Sequence, residues 1–328
     1  MAAPEVCYGK SVWRWIWIAI VLVIAAAAVA ALGDVRQLAT RLGGFGWSAF
    51  AAALCLALAN YGIRFVRWTL YLRRQGVTVP PTTSALVFGA GLSLSITPGK
   101  LGELVKSYLL RELCDIPVTR TAPIVIAERV SDLIALLVLA VAGVAAYGIA
   151  AAAVIAAAAV ITAGLVLLAW PRPARALIDL VTRAPRLARF RAPLHDIHGG
   201  LAALCRPATL TAATALAVPA WACECVGFAL IVNAFPGAHV ELGLAIVIYA
   251  ATTIAGALSF LPGGLGVTEG AMAMWLVRGA AHIERPTAVD ATLLTRIATL
   301  WFAVALGLVC LAVARRRVRA RSRDALRA

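Results

Sequence analysis

Two stretches of this sequence decide its fold: residues 95–102, which read SITPGKLG, and residues 259–266, which read SFLPGGLG. Both follow the pattern S-x-[TL]-P-G-x-L-G, and a carboxylate follows each within three residues, Glu103 or Glu269. Proline removes a backbone donor and glycine frees the backbone torsions, so each stretch interrupts the apolar segment around it. In a membrane protein, interruptions at matching places in two halves of the chain indicate a substrate site.

Composition excludes a water-soluble globular protein. Of the 328 residues, 62% are hydrophobic and 14% are charged, and the mean hydropathy is +0.91. A water-soluble protein of this size needs more polar residues to cover its surface. The apolar runs of roughly 20 residues match the thickness of a bilayer. The sequence therefore predicts an all-α polytopic membrane protein, with residues 1–328 forming a single integral membrane domain.

The basic residues predict how the chain lies in the membrane. The net charge is +15, and residues 171–207 hold seven arginines against two aspartates, while residues 315–328 hold seven against one. Basic clusters beside apolar segments follow the positive-inside rule, which favours a membrane protein over a nucleic-acid-binding protein. We predict a bacterial inner-membrane protein whose termini, loop 171–207 and tail 315–328 face the cytoplasm. We expect loop 171–207 to form an interfacial helix or loop, and the first apolar segment to be a retained helix, not a signal peptide.

The apolar segments predict about six full spans and two broken hairpins. Each arm of the first hairpin would be about 20 Å long, short of the ~30 Å hydrocarbon core, so we expect the hairpins to be re-entrant. The hairpins are residues 84–113 and 242–281, and the spans are residues 13–33, 45–72, 123–147, 149–170, 208–235 and 288–314.

These segments form two repeats, residues 13–147 and 149–314, each in the order span, span, hairpin, span. The first repeat crosses the membrane three times, so the second starts from the opposite face and its hairpin enters from the other side. We therefore predict an inverted repeat with hairpin tips that meet near the midplane. The tip residues are Pro98, Gly99, Gly102, Pro262, Gly263 and Gly266. The alternative is that each Pro-Gly pair only kinks a membrane helix.

Ionisable residues inside the apolar segments form the candidate site, because charge at membrane depth is costly and persists where it is paired or functional. Glu103 with Lys106, and Glu128 or Asp132 with Arg129, have the helical spacing of local charge pairs that hold a bundle together. The candidate substrate-binding residues are Lys100, Glu103, Lys106, Arg129, Glu224, Glu269 and Arg296.

Local pairing leaves three cations to meet an anionic group: Lys100, Arg129 and Arg296. A helix that begins near Leu101 would add the positive potential of its N-terminus at the same place. By contrast, Arg64 and Arg67 are interpreted as interfacial anchors, since they come near the end of a predicted span.

The sequence has no pattern typical of catalysis, of a cofactor or of a metal site. It lacks the H-E-x-x-H, G-x-S-x-G and Walker patterns. Its seven cysteines lie mostly inside apolar segments, and its four histidines lie in loops or at segment ends. We expect no catalytic residue, no cofactor, no metal and no nucleic-acid partner.

Three motifs carry a resemblance to a known family: TPGKLGExxK from Thr97, ERxxD from Glu128 and LPGGLGxxE from Leu261. They resemble the flippase-like transmembrane domain of lysylphosphatidylglycerol synthases (the multiple peptide resistance factor family) and its stand-alone relatives, over nearly the whole chain. The resemblance implies lipid translocation. In the synthases a separate carboxy-terminal domain performs aminoacyl transfer, and we expect no such domain in a chain that ends at Ala328.

The resulting hypothesis is a lipid translocase that moves an anionic phospholipid, glycolipid or polyprenyl-phosphate-linked lipid between leaflets, so that its main partner is a membrane lipid with an anionic head group. Two alternatives stay open. One is an intramembrane lipid-modifying transferase that uses the buried carboxylates. The other is a non-transporting partner of a lipid or envelope synthase, and enzymes of lipid or glycan synthesis are the corresponding expected partners.

Overall fold

The computed structural model of the chain describes residues 41–147, 171–184, 187–279 and 281–325, together with a few residues between 155 and 165. The predicted span 13–33 and most of the predicted span 149–170 lie outside the described residues. The chain divides into two units, Met1–Phe45 and Gly46–Ala328. In the first unit, residues 41–43 are helical, and the elements below belong to the second.

The first half of this unit contains four α-helices: α1 (Trp47–Arg74), α2 (Pro81–Leu92), α3 (Val105–Cys114) and α4 (Val118–Tyr147). A 3-10 helix, Pro98–Leu104, lies between α2 and α3. Proline opens α2 because its fixed torsion suits the first helical turn, and Asp115 ends α3 in the left-handed conformation. Because α2 and α3 pack against each other, they form a helical hairpin around the first Pro-Gly stretch.

The basic segment that follows is largely helical. It contains α5 (Pro171–Val181), a 3-10 turn (Ala188–Phe190) and α6 (Arg191–Leu204). The Asp179 carboxylate accepts a hydrogen bond from Arg191 Nε at 2.8 Å and lies 2.9 Å from His195 Nε2. These two partners join α5 to α6 and hold the pKa of Asp179 below its usual range. Helix α6 packs on α4, which fixes the segment to the membrane-spanning part.

The second half contains α7 (Pro207–Asn233), α8 (Leu242–Leu258), a 3-10 turn (Pro262–Gly264) and α9 (Val267–Arg278). It ends with α10 (Arg285–Arg296), a π-helical turn (Ile297–Trp301) and α11 (Phe302–Ala325). Within the described residues no strand is present. Three helices there are long and apolar enough to cross a membrane: Trp47–Arg74, Pro207–Asn233 and Arg285–Arg321. The chain is thus an all-α membrane protein.

The two halves repeat one order of elements: long helix, short helix, 3-10 break, short helix, long helix. The equivalent helices α1 and α7 pack side by side and run antiparallel. Gly46 N–H donates to the Ala234 carbonyl at 3.1 Å, and further along, Asn60 Nδ2 donates to the Ala220 carbonyl at 2.7 Å. The remaining packing is reciprocal, since α2 lies on α11 and α8 lies on α4.

Candidate functional site

A cavity of about 290 Å³ lies between the two Pro-Gly loops. We call residues 93–104 the first loop and residues 259–266 the second loop. Ser95 and Thr97 of the first loop contribute to the cavity wall, as do Phe260, Leu261, Gly263 and Gly264 of the second. The loops touch, because a Cβ placed on Gly263 would lie 3.2 Å from Ile96 Cγ1. The cavity therefore lies where the two halves of the chain meet.

Three arginines and two carboxylates line this cavity: Arg64, Arg129, Arg296, Asp132 and Glu224. The prediction that Arg64 and Arg67 are interfacial anchors is wrong, because their exposed fractions are 6% and 0%. A signal for their burial was present in the sequence. Residues 60, 64, 67 and 71 of α1 are polar or aromatic and recur at the spacing of one helix face.

Glu103, near the end of the first loop, lies close to three cations. Its carboxylate lies 3.2 Å from Lys106 Nζ and 3.3 Å from Arg129 Nη2, and 3.7 Å from Arg64 Nη2. The pairing of Glu103 with Lys106, three residues apart on the chain, is the one that the sequence predicts. Glu103 is 1% exposed, so its charge is balanced almost wholly by these side chains. It holds two of the cavity arginines in place.

Lys106 is enclosed on every side that the structure describes. Its Nζ lies 2.5 Å from Glu128 Oε2, and it stands over the rings of Trp68 and Phe88 at 4.7 and 5.7 Å from their centroids. Its exposed fraction is 1%. Such an ammonium group is stabilised by charge and by aromatic faces. Lys106 therefore acts in this arrangement as a structural cation that ties α3 to α1, α2 and α4.

Asp132 joins three elements at the cavity wall. Its Oδ1 accepts hydrogen bonds from Arg67 Nη1 at 2.7 Å and from Trp221 Nε1 at 3.0 Å. Its Oδ2 lies 3.2 Å from Arg129 Nη2, which is the local pair that the sequence predicts. Helices α1, α4 and α7 are thus connected through one carboxylate, and Arg129 is fixed between Glu103 and Asp132.

Arg296 and Glu269 hold the second loop. Arg296 Nε lies 2.6 Å from Glu269 Oε1, and Arg296 Nη2 donates to the Gly263 carbonyl at 2.5 Å. Glu269 Oε2 in turn accepts from the Gly266 N–H at 2.6 Å, at the start of α9. The π-helical turn begins directly after Arg296, and such turns occur often at functional sites.

Glu224 differs from the other carboxylates of the site. It is 8% exposed and accepts a hydrogen bond from the Tyr249 hydroxyl at 2.6 Å. Each of the other four carboxylates lies within 4.0 Å of a cation, whereas no described cation lies that close to Glu224. Its charge is consequently the least compensated in the described part of the site.

The site is electrically neutral when all its described groups are ionised. The five cations are Arg64, Arg67, Lys106, Arg129 and Arg296. The five carboxylates are Glu103, Glu128, Asp132, Glu224 and Glu269. An interior of low dielectric disfavours any net charge, so this balance constrains what the cavity accepts.

The structure separates the predicted site residues into two groups. Arg129, Glu224 and Arg296 line the cavity, whereas Glu103, Lys106 and Glu269 hold the lining residues in place. The Lys100 side chain lies outside the described part of the chain. Helix α3 begins at Val105, not near Leu101, because a 3-10 helix occupies Pro98–Leu104. Within the described residues no cluster fit to hold a metal ion is found.

The described tip residues lie within the two loops, at the points where the helices are interrupted. Pro98 and Pro262 each open a 3-10 segment. Gly102 leaves no room for a side chain, because an added Cβ would lie 2.6 Å from Leu94 Cβ. Gly263 and Gly266 have positive φ angles of 60° and 84°, a conformation that glycine adopts without strain.

Comparison with known protein families gives one result. Residues 16–307 match the sequence profile of the family described as the lysylphosphatidylglycerol synthase TM region. The match covers both loops and every cavity-lining residue. Among curated proteins, no sequence matches the chain.

Proposed function

The chain belongs to the lysylphosphatidylglycerol synthase TM-region family, and from this premise we propose that it moves a lipid with an anionic head group between the leaflets of the membrane. One observation carries the proposal: a cavity between two broken helical hairpins is lined by three arginines that lie deep within a membrane protein. Arginines that line a cavity inside a membrane protein mark the path of an anionic group.

The cavity suits a phosphate-containing head group in size and in chemistry. Its volume of about 290 Å³ equals roughly ten water molecules, at about 30 Å³ each. Guanidinium groups bind phosphate oxygens through paired N–H donors. The remaining wall is largely apolar, with Leu133, Leu136, Leu258 and Leu300 among its residues. A head group fits inside, and the acyl chains remain in the bilayer.

The repeated architecture supports transport by alternating access. We assign six spans and two re-entrant hairpins to an inverted repeat, with both termini in the cytoplasm of the cell. The antiparallel pair α1 and α7 supports this assignment, because equivalent helices of an inverted repeat run in opposite directions. The contact between the two loops supports it as well. In this mechanism, movement of one hairpin against the other opens the cavity to one leaflet or to the other.

Binding of the head group is coupled to hairpin movement, because an arginine of the cavity exchanges one of its partners for the phosphate. Arg129 is held by Glu103 and Asp132, and Arg296 by Glu269 and the Gly263 carbonyl. A phosphate that enters the cavity replaces the Gly263 carbonyl at Arg296 Nη2, and the carboxylates keep their arginine partners. When Arg296 turns to the phosphate, the second loop loses the contact at Gly263 and is free to move.

A leaflet-resolved assay tests the proposal. Purified protein is reconstituted with a trace of fluorescent phosphatidylglycerol, and a membrane-impermeant reductant quenches the outer leaflet. We expect Arg129→Ala and Arg296→Ala to lower the flip rate at least about tenfold, equivalent to roughly 1.4 kcal/mol of barrier. The matched control is Arg183→Ala, which removes an exposed arginine outside the site.

Unchanged flip rates in both variants would remove these arginines from the mechanism. If the purified wild-type protein does not flip the lipid, the proposal fails. Formation of a modified lipid from a defined donor would then support the transferase. Loss of a synthase's activity on deletion of this protein would support the partner role.

A further inference from the structure

We infer that Glu224 is the proton-binding group of a one-to-one symport, in which each anionic head group crosses the membrane together with one proton. This inference rests on the proposed function and adds its coupling ion. It depends on the position of Glu224, on the charge balance of the cavity and on the partners of the other carboxylates.

Glu224 is placed to exchange protons with the cavity. It lies on α7 at the cavity wall, and the Tyr249 hydroxyl donates to its Oε2. The Oε1 atom is therefore the oxygen that takes the proton. When it does, the carboxylate becomes a neutral acid and the contact with Tyr249 is kept as a hydrogen bond between neutral groups.

The charged and titratable groups around Glu224 come from every helix that packs on α7. From α1 these are Tyr61 and Arg64, from α4 Arg129 and Asp132, from α8 Tyr249, and from α10 Arg296. Each of the three arginines already has a carboxylate partner within 4.0 Å. Asp132 is likewise paired with Arg67 at 2.7 Å.

Protonation of any other carboxylate in the site would break an ion pair. Glu103, Glu128, Asp132 and Glu269 each have a cation between 2.5 and 3.3 Å away. Glu224 has only the Tyr249 hydroxyl among the described partners, so it takes up a proton without disrupting a charge pair. Glu224 is thus the one carboxylate of the described site that can be protonated without the loss of an ion pair.

Charge balance then gives the stoichiometry. With Glu224 ionised and the cavity empty, five cations face five carboxylates. A phosphodiester head group brings one negative charge, which a low-dielectric site disfavours. One proton on Glu224 restores neutrality. The described groups of the site therefore sum to zero charge both without and with the head group, and they carry no net charge across the membrane in either conformational step.

Proteoliposomes with a trace of fluorescent phosphatidylglycerol and an imposed pH gradient test this inference. For one-to-one symport, the lipid accumulates in the leaflet on the alkaline side. A gradient of one pH unit gives about a tenfold leaflet ratio at equilibrium, because it is a tenfold ratio of proton concentration. At equal pH on both sides, a potassium potential set with valinomycin leaves the wild-type distribution unchanged.

The variant Glu224→Gln removes the titrating group and keeps the side-chain size. We expect it to exchange lipid between leaflets, to lose the response to the pH gradient and to become sensitive to the membrane potential, since the described groups of its empty site carry one net positive charge. The control Glu284→Gln removes an exposed carboxylate outside the site, and it keeps the tenfold response.

Each outcome decides a separate question. A wild-type protein that flips the lipid without any pH response overturns the symport and leaves the proposed function intact. A Glu224→Gln protein with the wild-type response, or loss of the response in Glu284→Gln as well, overturns the assignment to Glu224. A wild-type protein that flips no lipid overturns the proposed function and this inference with it.

Discussion

The two loops share one sequence pattern, yet the protein holds them in different ways. The first loop contains a seven-residue 3-10 helix. Its Glu103 pairs with Lys106, and both residues are 1% exposed. The second makes a three-residue 3-10 turn and is held by one ion pair whose side chains are 12% and 18% exposed. Aligned positions differ accordingly, since Ile96 is 3% exposed and Phe260 71%.

This difference assigns different mechanical roles to the two hairpins. Several buried charges must lose their partners before the first loop moves, and each such loss is costly. The second loop needs only the Arg296–Glu269 contact and the hydrogen bond to Gly263 to break. We therefore expect the first hairpin to serve as the fixed side of the cavity and the second as the moving side.

The largest expected effect is on the free energy of unfolding, when the cation that anchors the first hairpin is removed. Lys106→Met leaves Glu103 and Glu128 buried next to one another without their shared ammonium group. Removing one partner of a buried ion pair costs about 3–5 kcal/mol. Unfolding in detergent by denaturant titration measures the change, with Arg183→Ala as the control. If Lys106→Met lowered the free energy of unfolding by less than Glu269→Ala does, the assignment of the first loop as the fixed one would be contradicted.

An intermediate effect is expected when the second loop loses its ion pair. Glu269→Ala removes the contact with Arg296 and the acceptor for the Gly266 N–H, which together cost about 2 kcal/mol. Amide hydrogen exchange should increase in residues 259–266 and stay unchanged in residues 93–104. Glu269→Gln keeps an acceptor for Gly266 and isolates the charge contribution. Equal increases in both loops would show that the loops open together.

The smallest expected effect concerns the backbone of the second loop. Phe260 adopts a left-handed conformation with φ at 53° and has an exposed side chain. Phe260→Gly relieves about 1 kcal/mol of backbone strain and adds a similar entropy cost in the unfolded chain, so the two contributions nearly cancel. We expect the melting temperature to stay within a few degrees of the wild type. A large decrease would mean that Phe260 makes a packing contact that stabilises the loop.

Features that depend on local sequence could be predicted. The all-α membrane class follows from composition, and the breaks at Pro98 and Pro262 follow from the Pro-Gly pairs, in which proline removes a backbone donor and glycine frees the backbone torsions. The pairs Glu103–Lys106 and Arg129–Asp132 follow from their helical spacing, and the structure contains both.

Features that depend on distant contacts could not be predicted. Trp221 donates to Asp132 from 89 positions away, and Lys106 reaches Glu128 across 22 positions. The burial of Arg64 and Arg67 depends on which helix covers their face of α1, and helical spacing alone does not identify that neighbour.

A reversible cross-link between the loops tests the central claim, that lipid moves through the cavity when the loops part. Ile96 and Gly263 are in contact, so Ile96→Cys with Gly263→Cys, in a background without the seven native cysteines, is expected to form a disulfide on oxidation. Gly263→Cys alone controls for strain at that position. We predict that oxidation stops phosphatidylglycerol flipping and that reduction restores it. An oxidised, fully cross-linked protein that flips lipid at the rate of its reduced form would contradict the account.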